Sequence, residues 1–173
     1  SESVDFIYLD PPFNKNRNFE APIGSKAAAA SFKDMWTLDD IVVAEHGEIA
    51  EQNEAIGLFI RAAGLTAGKS TKAYLTFMAI RLLEMHRVLK STGSIILHCD
   101  DSAGHYLKGL MDAIFGYDNF QNDVTWKRAP HKADAKRFGR ISDHLLFYTK
   151  NSGKHTWNKI WTERQPSEIE STY

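Results

Sequence analysis

Short apolar runs alternate along this chain with longer stretches in which apolar residues recur every three or four positions. Runs of about four to eight mostly apolar residues are typical of strands. They predict four strands, over residues 4–9, 94–98, 120–126 and 144–148. We expect the first of these strands to be buried, because apolar residues dominate it.

Helical spacing predicts three helices, the first within residues 51–63. The second begins with Ser70 or Thr71 as its cap and ends at Gly93. The third begins at Asp101 or Ser102, with Asp100 or Asp101 as its cap, and ends at Gly116. The predicted buried faces comprise Ala55, Leu58, Phe59 and Ala62 in the first helix, Tyr74, Phe77, Met78, Leu82, Met85, Val88 and Leu89 in the second, and Ala103, Tyr106, Leu107, Leu110, Met111 and Ile114 in the third.

Strands that alternate with helices predict an α/β fold with a mostly parallel sheet. Ligands of such sheets bind at the carboxyl ends of the strands. Asp10 follows the first strand and residues 98–101 follow the second, so we expect both to line one crevice. Residues 14–40 read as a loop, in which Phe32, Met35 and Trp36 are more typical of packing anchors than of a device for stacking bases.

The amino-acid composition is that of a globular protein. The 173 residues are 43% hydrophobic and 12% aromatic, which indicates a globular domain with its own core. No apolar run reaches membrane-spanning length, and the single cysteine, Cys99, excludes a disulfide framework and favours a reducing compartment. The polar opening Ser1-Glu2-Ser3 has no features of a secretory leader. The chain starts at Ser1 rather than Met and enters a strand almost at once, which suggests a segment of a longer protein.

The net charge of −1 does not indicate nucleic-acid binding, but the distribution of charge does. Clustered cations with little opposing acid are typical of phosphate contacts. Residues 127–140 form such a basic segment, opposed only by Asp134; its cations are Lys127, Arg128, Lys132, Lys136, Arg137 and Arg140. The alternative interpretation is a solvated loop.

The most specific feature is Asp10-Pro11-Pro12-Phe13, directly after the first strand. Methylation of an exocyclic amino group on a nucleobase needs acceptors that draw the nitrogen lone pair out of conjugation. The Asp10 carboxylate and the Pro11 carbonyl could serve as these acceptors. The Phe13 ring offers a face on which a base flipped out of its helix can stack. Pro11 and Pro12 stiffen the turn. The alternative is a turn that merely ends the strand, with Phe13 folded into the core.

The motif order resembles the amino-group DNA methyltransferases of the N6-adenine/N4-cytosine family. Leu9-Asp10-Pro11-Pro12-Phe13 resembles their catalytic motif, and Asp143-His144-Leu145-Leu146-Phe147-Tyr148-Thr149-Lys150 resembles the last strand of their catalytic half. Between them, the resemblance covers residues 73–95, 105–108, 114–120 and 124–128 and is weakest over residues 38–68. It implies a Rossmann-like methyltransferase sheet, mostly parallel with one antiparallel strand.

In the permuted β group of this family the catalytic region precedes the cofactor region, which matches a catalytic motif at residue 10. The family's cofactor signature, Phe-x-Gly-x-Gly, is absent, since no two glycines lie two positions apart. The resemblance therefore implies that residues 1–150 are the catalytic half, with a variable insertion at 21–68. Residues 151–173, with Trp157 and Trp161, begin a target-recognition or linker region, and the cofactor region follows in the same polypeptide.

The resemblance implies methylation of double-stranded DNA, most readily at adenine N6, with S-adenosylmethionine as cofactor. Catalysis is assigned to Asp10, Pro11, Pro12 and Phe13, with Asp10 also facing the cofactor, and DNA contact to Lys127, Arg128, Lys132, Arg137 and Arg140. A bacterial cytoplasmic, nucleoid-associated enzyme of a restriction-modification system, compatible with a homodimer, is expected. Cytosine N4, RNA or protein amides, and a non-catalytic DNA-binding region remain alternatives.

Two further patterns are weak. Residues 64–70 approach a phosphate-binding loop, but Gly64 is one residue too close to Gly68-Lys69-Ser70 and no strand precedes it. We therefore expect a loop and a helix cap there, not a nucleotide hydrolase. His98, Cys99, Asp100 and Asp101 are adjacent, so they point to alternating faces and do not form a metal site. Cys99 is expected to be a small buried side chain rather than a nucleophile.

Overall fold

The computed structural model describes residues 2–13, 53–128, 136 and 138–159 in full, and residues 17–20 and 31–34 as backbone only. Its strands are β1 (Val4–Leu9), β2 (Arg17–Glu20), β3 (Ser31–Asp34), β4 (Leu89–Cys99), β5 (Phe120–Lys127) and β6 (Ser142–Thr149). Its helices are α1 (Glu54–Ala67), α2 (Lys69–Val88) and α3 (Gly104–Phe115), and a 3-10 turn spans Tyr117–Asn119.

Four strands form one sheet in the order β1-β4-β6-β5. β1 pairs with β4 in parallel, and β6 pairs antiparallel with both β4 and β5. β1, β4 and β5 therefore point the same way and β6 alone is reversed. This confirms the predicted α/β class, with a mostly parallel sheet that contains an antiparallel strand. β2 and β3 form a separate antiparallel pair where the sequence suggested a loop.

The core lies on one face of the sheet. Side chains of a strand alternate between faces, and one set, with Leu97 and Tyr148 at its centre, is buried against α1, α2 and α3. On the opposite face Phe6 and Tyr8 are each 54% exposed. The prediction of a buried β1 is therefore wrong, because β1 lies at the edge of the sheet formed by the described strands and the described helices cover one face only.

The α1 helix buries a different stripe from the predicted one. Ile56, Ile60 and Ala63 are buried, whereas Leu58 is 58% exposed. Apolar residues occur almost all round this helix, so helical spacing alone does not select the buried stripe. Packing against α2 and α3 makes that selection.

The boundary between α1 and α2 is a single glycine. Gly68 has a φ of 91°, a left-handed conformation that favours glycine, and α2 begins at Lys69 without a side-chain cap. Capping by Ser70 or Thr71 was thus a wrong prediction. Residues 64–67 are helical. They therefore form neither a phosphate-binding loop, which the spacing argued against, nor the ordinary loop that was predicted in its place.

The end of α2 also differs from the prediction. The helix ends at Val88, and Gly93 lies inside β4 rather than at a helix terminus. Leu89 takes an extended conformation and is fully buried, so the strand begins earlier than its apolar run suggested. The predicted end of α3 at Gly116, which has a φ of 89°, is confirmed.

The start of α3 is preceded by a turn. The N-cap position is Ala103, which offers no side-chain hydrogen bond. The Asp100 carboxylate instead accepts a hydrogen bond from the Ser102 backbone N–H at 2.9 Å, within the turn that leads into the helix. The predicted capping role of Asp100 is therefore a turn-stabilising role.

None of the helices in the described part of the chain is both long enough and apolar enough to cross a membrane.

A buried tyrosine joins α3 to the sheet. The Tyr148 hydroxyl donates to Asp112 Oδ1 at 2.6 Å, and Lys108 Nζ donates to the same carboxylate at 2.8 Å. Burial raises the pKa of Tyr148, and its hydrogen bond to Asp112 raises it further. The hydroxyl therefore stays protonated as a donor, and it fixes α3 against β6.

Replacing Tyr148 with phenylalanine is expected to lower the free energy of unfolding by about 1–2 kcal/mol, because the ring stays packed while Asp112 loses a donor. Urea denaturation followed by tryptophan fluorescence measures this. The matched control is Tyr117→Phe, the same chemical change at a side chain that is 74% exposed. Equal midpoints for Y148F and the wild type would show that the hydroxyl contributes nothing to the docking of α3.

Candidate active site

The topology brings four chain segments to one edge of the sheet. Because β1, β4 and β5 run in parallel, their carboxyl ends meet there, and the reversed β6 begins at the same edge. Asp10 follows β1, His98 lies at the end of β4, Arg128 follows β5, and Asp143 lies at the start of β6. The expectation that Asp10 and residues 98–101 share an edge agrees with this arrangement.

His98 lies between two carboxylates. Its Nδ1 is 3.3 Å from Asp10 Oδ1 on one side. Its Nε2 is 3.3 Å from Asp143 Oδ2 on the other. The strand register explains the first contact: Leu9 pairs with Leu97, so the next residues, Asp10 and His98, emerge side by side.

The two carboxylates have different environments. The Asp143 side chain is 3% exposed, whereas that of Asp10 is 57% exposed. Arg128 Nε lies 3.4 Å from Asp143 Oδ1, although that oxygen makes no well-aligned hydrogen bond within the described residues. A buried carboxylate is costly unless it is paired, so His98 and Arg128 together stabilise Asp143. We call Asp10, His98, Asp143 and Arg128 the Asp10–Arg128 network.

The aromatic residue of the motif contacts this network. The Phe13 ring is half-buried and meets the His98 ring edge-on, with centroids 5.4 Å apart at 68°. Phe13 is not part of the hydrophobic core formed by the described residues. Pro11 is buried and Pro12 half-buried. The exposed carboxylate and the partly exposed ring thus both contact His98.

Three of the five predicted DNA-contacting cations lie at the same edge. Lys127 is exposed at the end of β5, and Arg128 pairs with Asp143. Arg140 pairs with Asp101 at 2.9 Å, with half of its side chain exposed. The Arg128 N–H donates to the Ile141 carbonyl, which closes the neck of the basic segment. Lys132 and Arg137 lie outside the described residues, as do Met35, Trp36 and Trp161.

A cavity of about 120 Å³ lies on the helical face of the sheet, between α3, β5 and β6. Its polar lining includes His144, whose Nδ1 is 2.9 Å from Asp123 Oδ2. Asp10 and His98 do not line this cavity. The two features are therefore separate.

Sequence reasoning placed His98 among the residues that line the crevice and weighed it as a metal ligand, but it missed the contacts of His98 with Asp10 and Asp143. Asp143 was considered only as part of a strand. The strand period gave a usable signal, because it places His98 on the face opposite Cys99. Within the described ranges, no group of three acidic, histidine or cysteine side chains is arranged to hold a metal ion.

Comparisons with known proteins give the chain a family. The model of the N6_N4_Mtase family, described as DNA methylase, matches residues 4–172. The Mod subunit of the type III restriction-modification enzyme StyLTI from Salmonella typhimurium is 32% identical over 153 residues, which cover 87% of this chain and 21% of that protein.

Two type II methyltransferases are also similar. M.KpnI from Klebsiella pneumoniae is 27% identical over 151 residues, covering 87% of this chain and 28% of that protein. M.EcaI from Enterobacter cloacae is 36% identical over 88 residues, covering 50% of this chain and 19% of that protein. The chain thus spans less than a third of the length of each of these relatives.

Cys99 lies next to the network but faces the core. Its side chain is buried, and burial raises the pKa of its thiol to about 12, with a further contribution from nearby carboxylates, Asp123 first. The nucleophile of a thiol is its thiolate. At neutral pH this cysteine is therefore protonated and unreactive, as expected for a packing residue.

We expect Cys99 in the native protein to react with a thiol reagent such as DTNB at least about 100-fold more slowly at pH 8 than in 6 M guanidinium, because both burial and the raised pKa suppress the thiolate. Absorbance of the released thiol measures both rates. Because the folded pKa lies above the unfolded one, the stability from the buried thiol is present below the unfolded pKa and is lost as pH rises towards 12. Rapid native labelling at pH 8 would contradict the buried position.

Proposed function

We propose that this chain, which belongs to the N6_N4_Mtase family of DNA methylases, supplies the target-amine site of an enzyme that methylates an exocyclic amino group in DNA. The observation that carries the proposal is the exposed Asp10 carboxylate beside the half-buried Phe13 ring, at the edge where three parallel strands end. Pro11 and Pro12 complete the catalytic motif. The finer assignment is to adenine N6.

The chemistry of amino methylation explains the residue types. The lone pair of an exocyclic amino nitrogen is delocalised into its ring, so it is a poor nucleophile until acceptors hold its hydrogens. Asp10 accepts one of these hydrogen bonds and the Pro11 carbonyl the other. Positive charge then develops on nitrogen during transfer, and preorganised acceptors stabilise it. No covalent enzyme intermediate is required, which agrees with the buried Cys99.

The base must leave the helix to reach Asp10, because its amino group is otherwise paired and stacked. Phe13 offers the flipped base an aromatic surface, and stacking of this kind is worth about 1–3 kcal/mol per base. The His98 ring fixes Phe13 from one edge. Acceptor and stacking surface are thus both held by His98, which would position the amino nitrogen of the base for transfer.

The cofactor of the proposed reaction is S-adenosylmethionine, which supplies an electrophilic methyl group. The residues of this chain fit it in part: Asp10 presents an exposed carboxylate, but the 173 residues contain no Gly-x-Gly turn. We therefore assign to this chain one wall of the cofactor site, at Asp10, and assign the remainder to a further region of the same polypeptide. The chain aligns with less than a third of the length of its relatives, which supports that division.

The proposed partner is double-stranded DNA, contacted by the basic segment. Three of the proposed DNA-contacting cations lie at the edge that carries Asp10: Lys127, Arg128 and Arg140. The proposed set also includes Lys132 and Arg137. Arg128 and Arg140 already pair with acidic side chains, so their contacts with phosphate compete with those pairs. Lys127 has the simplest role, as an exposed cation at the end of β5.

The biological setting of the proposal is DNA modification in a bacterial restriction-modification system, which the names of the relatives support. The protein would then act in the cytoplasm at the nucleoid. This chain would be part of a larger polypeptide, and that polypeptide could form a homodimer. Methylation of cytosine N4 is the second candidate, and the family name covers both amino groups. The identity of the methylated base distinguishes them.

In the full-length protein that carries these residues, Asp10→Ala is expected to lower methyl transfer to duplex DNA by about 100-fold or more, because one preorganised acceptor is lost. Incorporation of radiolabelled methyl groups, followed by chromatography of the nucleosides, gives both the rate and the modified base. The control is Asp118→Ala, which removes an exposed carboxylate from the 3-10 turn. An unchanged rate in D10A would refute the assigned chemistry, and N4-methylcytosine as product would refute the adenine assignment.

Lys127→Ala is expected to weaken DNA binding equally for all sequences and to reduce the slope of log affinity against log salt by about 0.9, the value for one lost phosphate contact. Fluorescence anisotropy between 50 and 200 mM salt measures the slope. Lys154→Ala is the matched control, since it removes an exposed lysine beyond the far end of β6. Identical slopes for K127A and K154A would remove Lys127 from the DNA interface.

A further inference from the structure

We propose that His98 is a positioning residue for the amino-methylation site: its Nδ1 holds the Asp10 carboxylate and its ring holds Phe13 through a T-shaped contact. This role rests on the function proposed above. In this role, one side chain fixes the position of the acceptor, Asp10, relative to the stacking surface, Phe13.

The position of His98 follows from the backbone. β1 and β4 are hydrogen-bonded in parallel, and Leu9 is level with Leu97. The next residue of each strand therefore emerges at the same height, which places His98 beside Asp10 without help from a loop. The resulting distance from Nδ1 to Oδ1 is 3.3 Å, and such contacts commonly shorten when a catalytic complex forms.

Asp10 needs such a partner. Its side chain is 57% exposed and follows the last residue of β1, so few of the described residues restrict its rotamers. A carboxylate has two oxygens that together accept several hydrogen bonds. Contact of Oδ1 with His98 orients the group and leaves acceptor capacity at Oδ2 for an amino group.

His98 is itself fixed from behind. Its Nε2 lies 3.3 Å from Oδ2 of Asp143, a side chain that is 3% exposed. Asp143 Oδ1 is paired with Arg128. The ring is 18% exposed, and Tyr8 lies beside it with centroids 6.4 Å apart. The imidazole therefore has a defined orientation, which it transmits to Asp10 and Phe13.

The two ring nitrogens allow a sharp test, because amide side chains imitate them separately. The amide nitrogen of asparagine can take the place of Nδ1, and that of glutamine can take the place of Nε2. His98→Asn therefore keeps a nitrogen towards Asp10 and leaves none towards Asp143. His98→Gln does the reverse, and His98→Phe keeps an aromatic ring but removes both nitrogens.

The experiment measures steady-state methyl transfer to duplex DNA by the full-length protein and these three variants. We expect kcat to fall about 10- to 100-fold in H98F and H98Q, because a misplaced catalytic group costs on this order. H98N should stay within about threefold of the wild type. KM values for DNA and for the methyl donor should change less than about twofold in all three, since His98 touches neither directly.

The order of the kcat values of H98N and H98Q distinguishes a positioning role from a merely structural one. A merely structural role, in which His98 stabilises buried Asp143, predicts that H98Q recovers activity and H98N does not. Any result in which kcat of H98N does not exceed that of H98Q overturns the positioning role, as does wild-type kcat in H98F. Thermal melting of each variant is compared, and if H98F does not fold, the Asn and Gln pair gives the answer.

His105→Asn is the matched control, because it makes the same substitution at an exposed histidine of α3; it should retain wild-type kcat. The two proposals fail separately. Normal wild-type methylation with the wrong order of variants overturns the role of His98 alone. Absence of amino methylation by the wild-type protein overturns the proposed function, and the positioning role with it.

Discussion

The position of β6, antiparallel between β4 and β5, is the constraint on which the candidate site depends. Because β6 is reversed, its first residues lie at the same edge as the last residues of its neighbours. That puts Asp143 in a buried position next to His98. A carboxylate buried in this way must be paired, and the pairing draws His98 and Arg128 towards one point. The exposed Asp10 then receives a rigid neighbour.

This arrangement connects structural stability with chemistry. Asp143 is paired with His98, whose other ring nitrogen faces Asp10, and with Arg128, which begins the basic segment. The same two side chains that pair with the buried carboxylate thus contact the proposed acceptor, Asp10, and begin the proposed DNA-contacting segment. A rigid scaffold of this kind reduces the reorganisation needed when charge develops in a transition state.

The one-sided core has a second consequence. The helices pack against the face that carries Leu97 and Tyr148, whereas His98 extends from β4 on the opposite face. Trp157 stacks on Phe147, with centroids 6.0 Å apart, so the segment after β6 returns over part of that face. The candidate site is therefore built on the less covered side of the sheet, and the cavity beside α3 is distinct from it.

The sequence by itself determined most of the strands and helices and the position of Asp10-Pro11-Pro12-Phe13 after the first strand. Apolar runs, helical stripes and a contiguous motif are local features, so they do not depend on distant contacts. The β2–β3 pair, the helical residues 64–67 and the start of β4 at Leu89 were not predicted. Tertiary structure decided which stripe of α1 is buried and which face of β1 is covered, because nearly uniform apolar patterns have no preferred side. It also decided the partners of Asp10: His98 and Asp143 are distant from it in sequence, and only the register of β1 on β4 and the reversal of β6 bring them together.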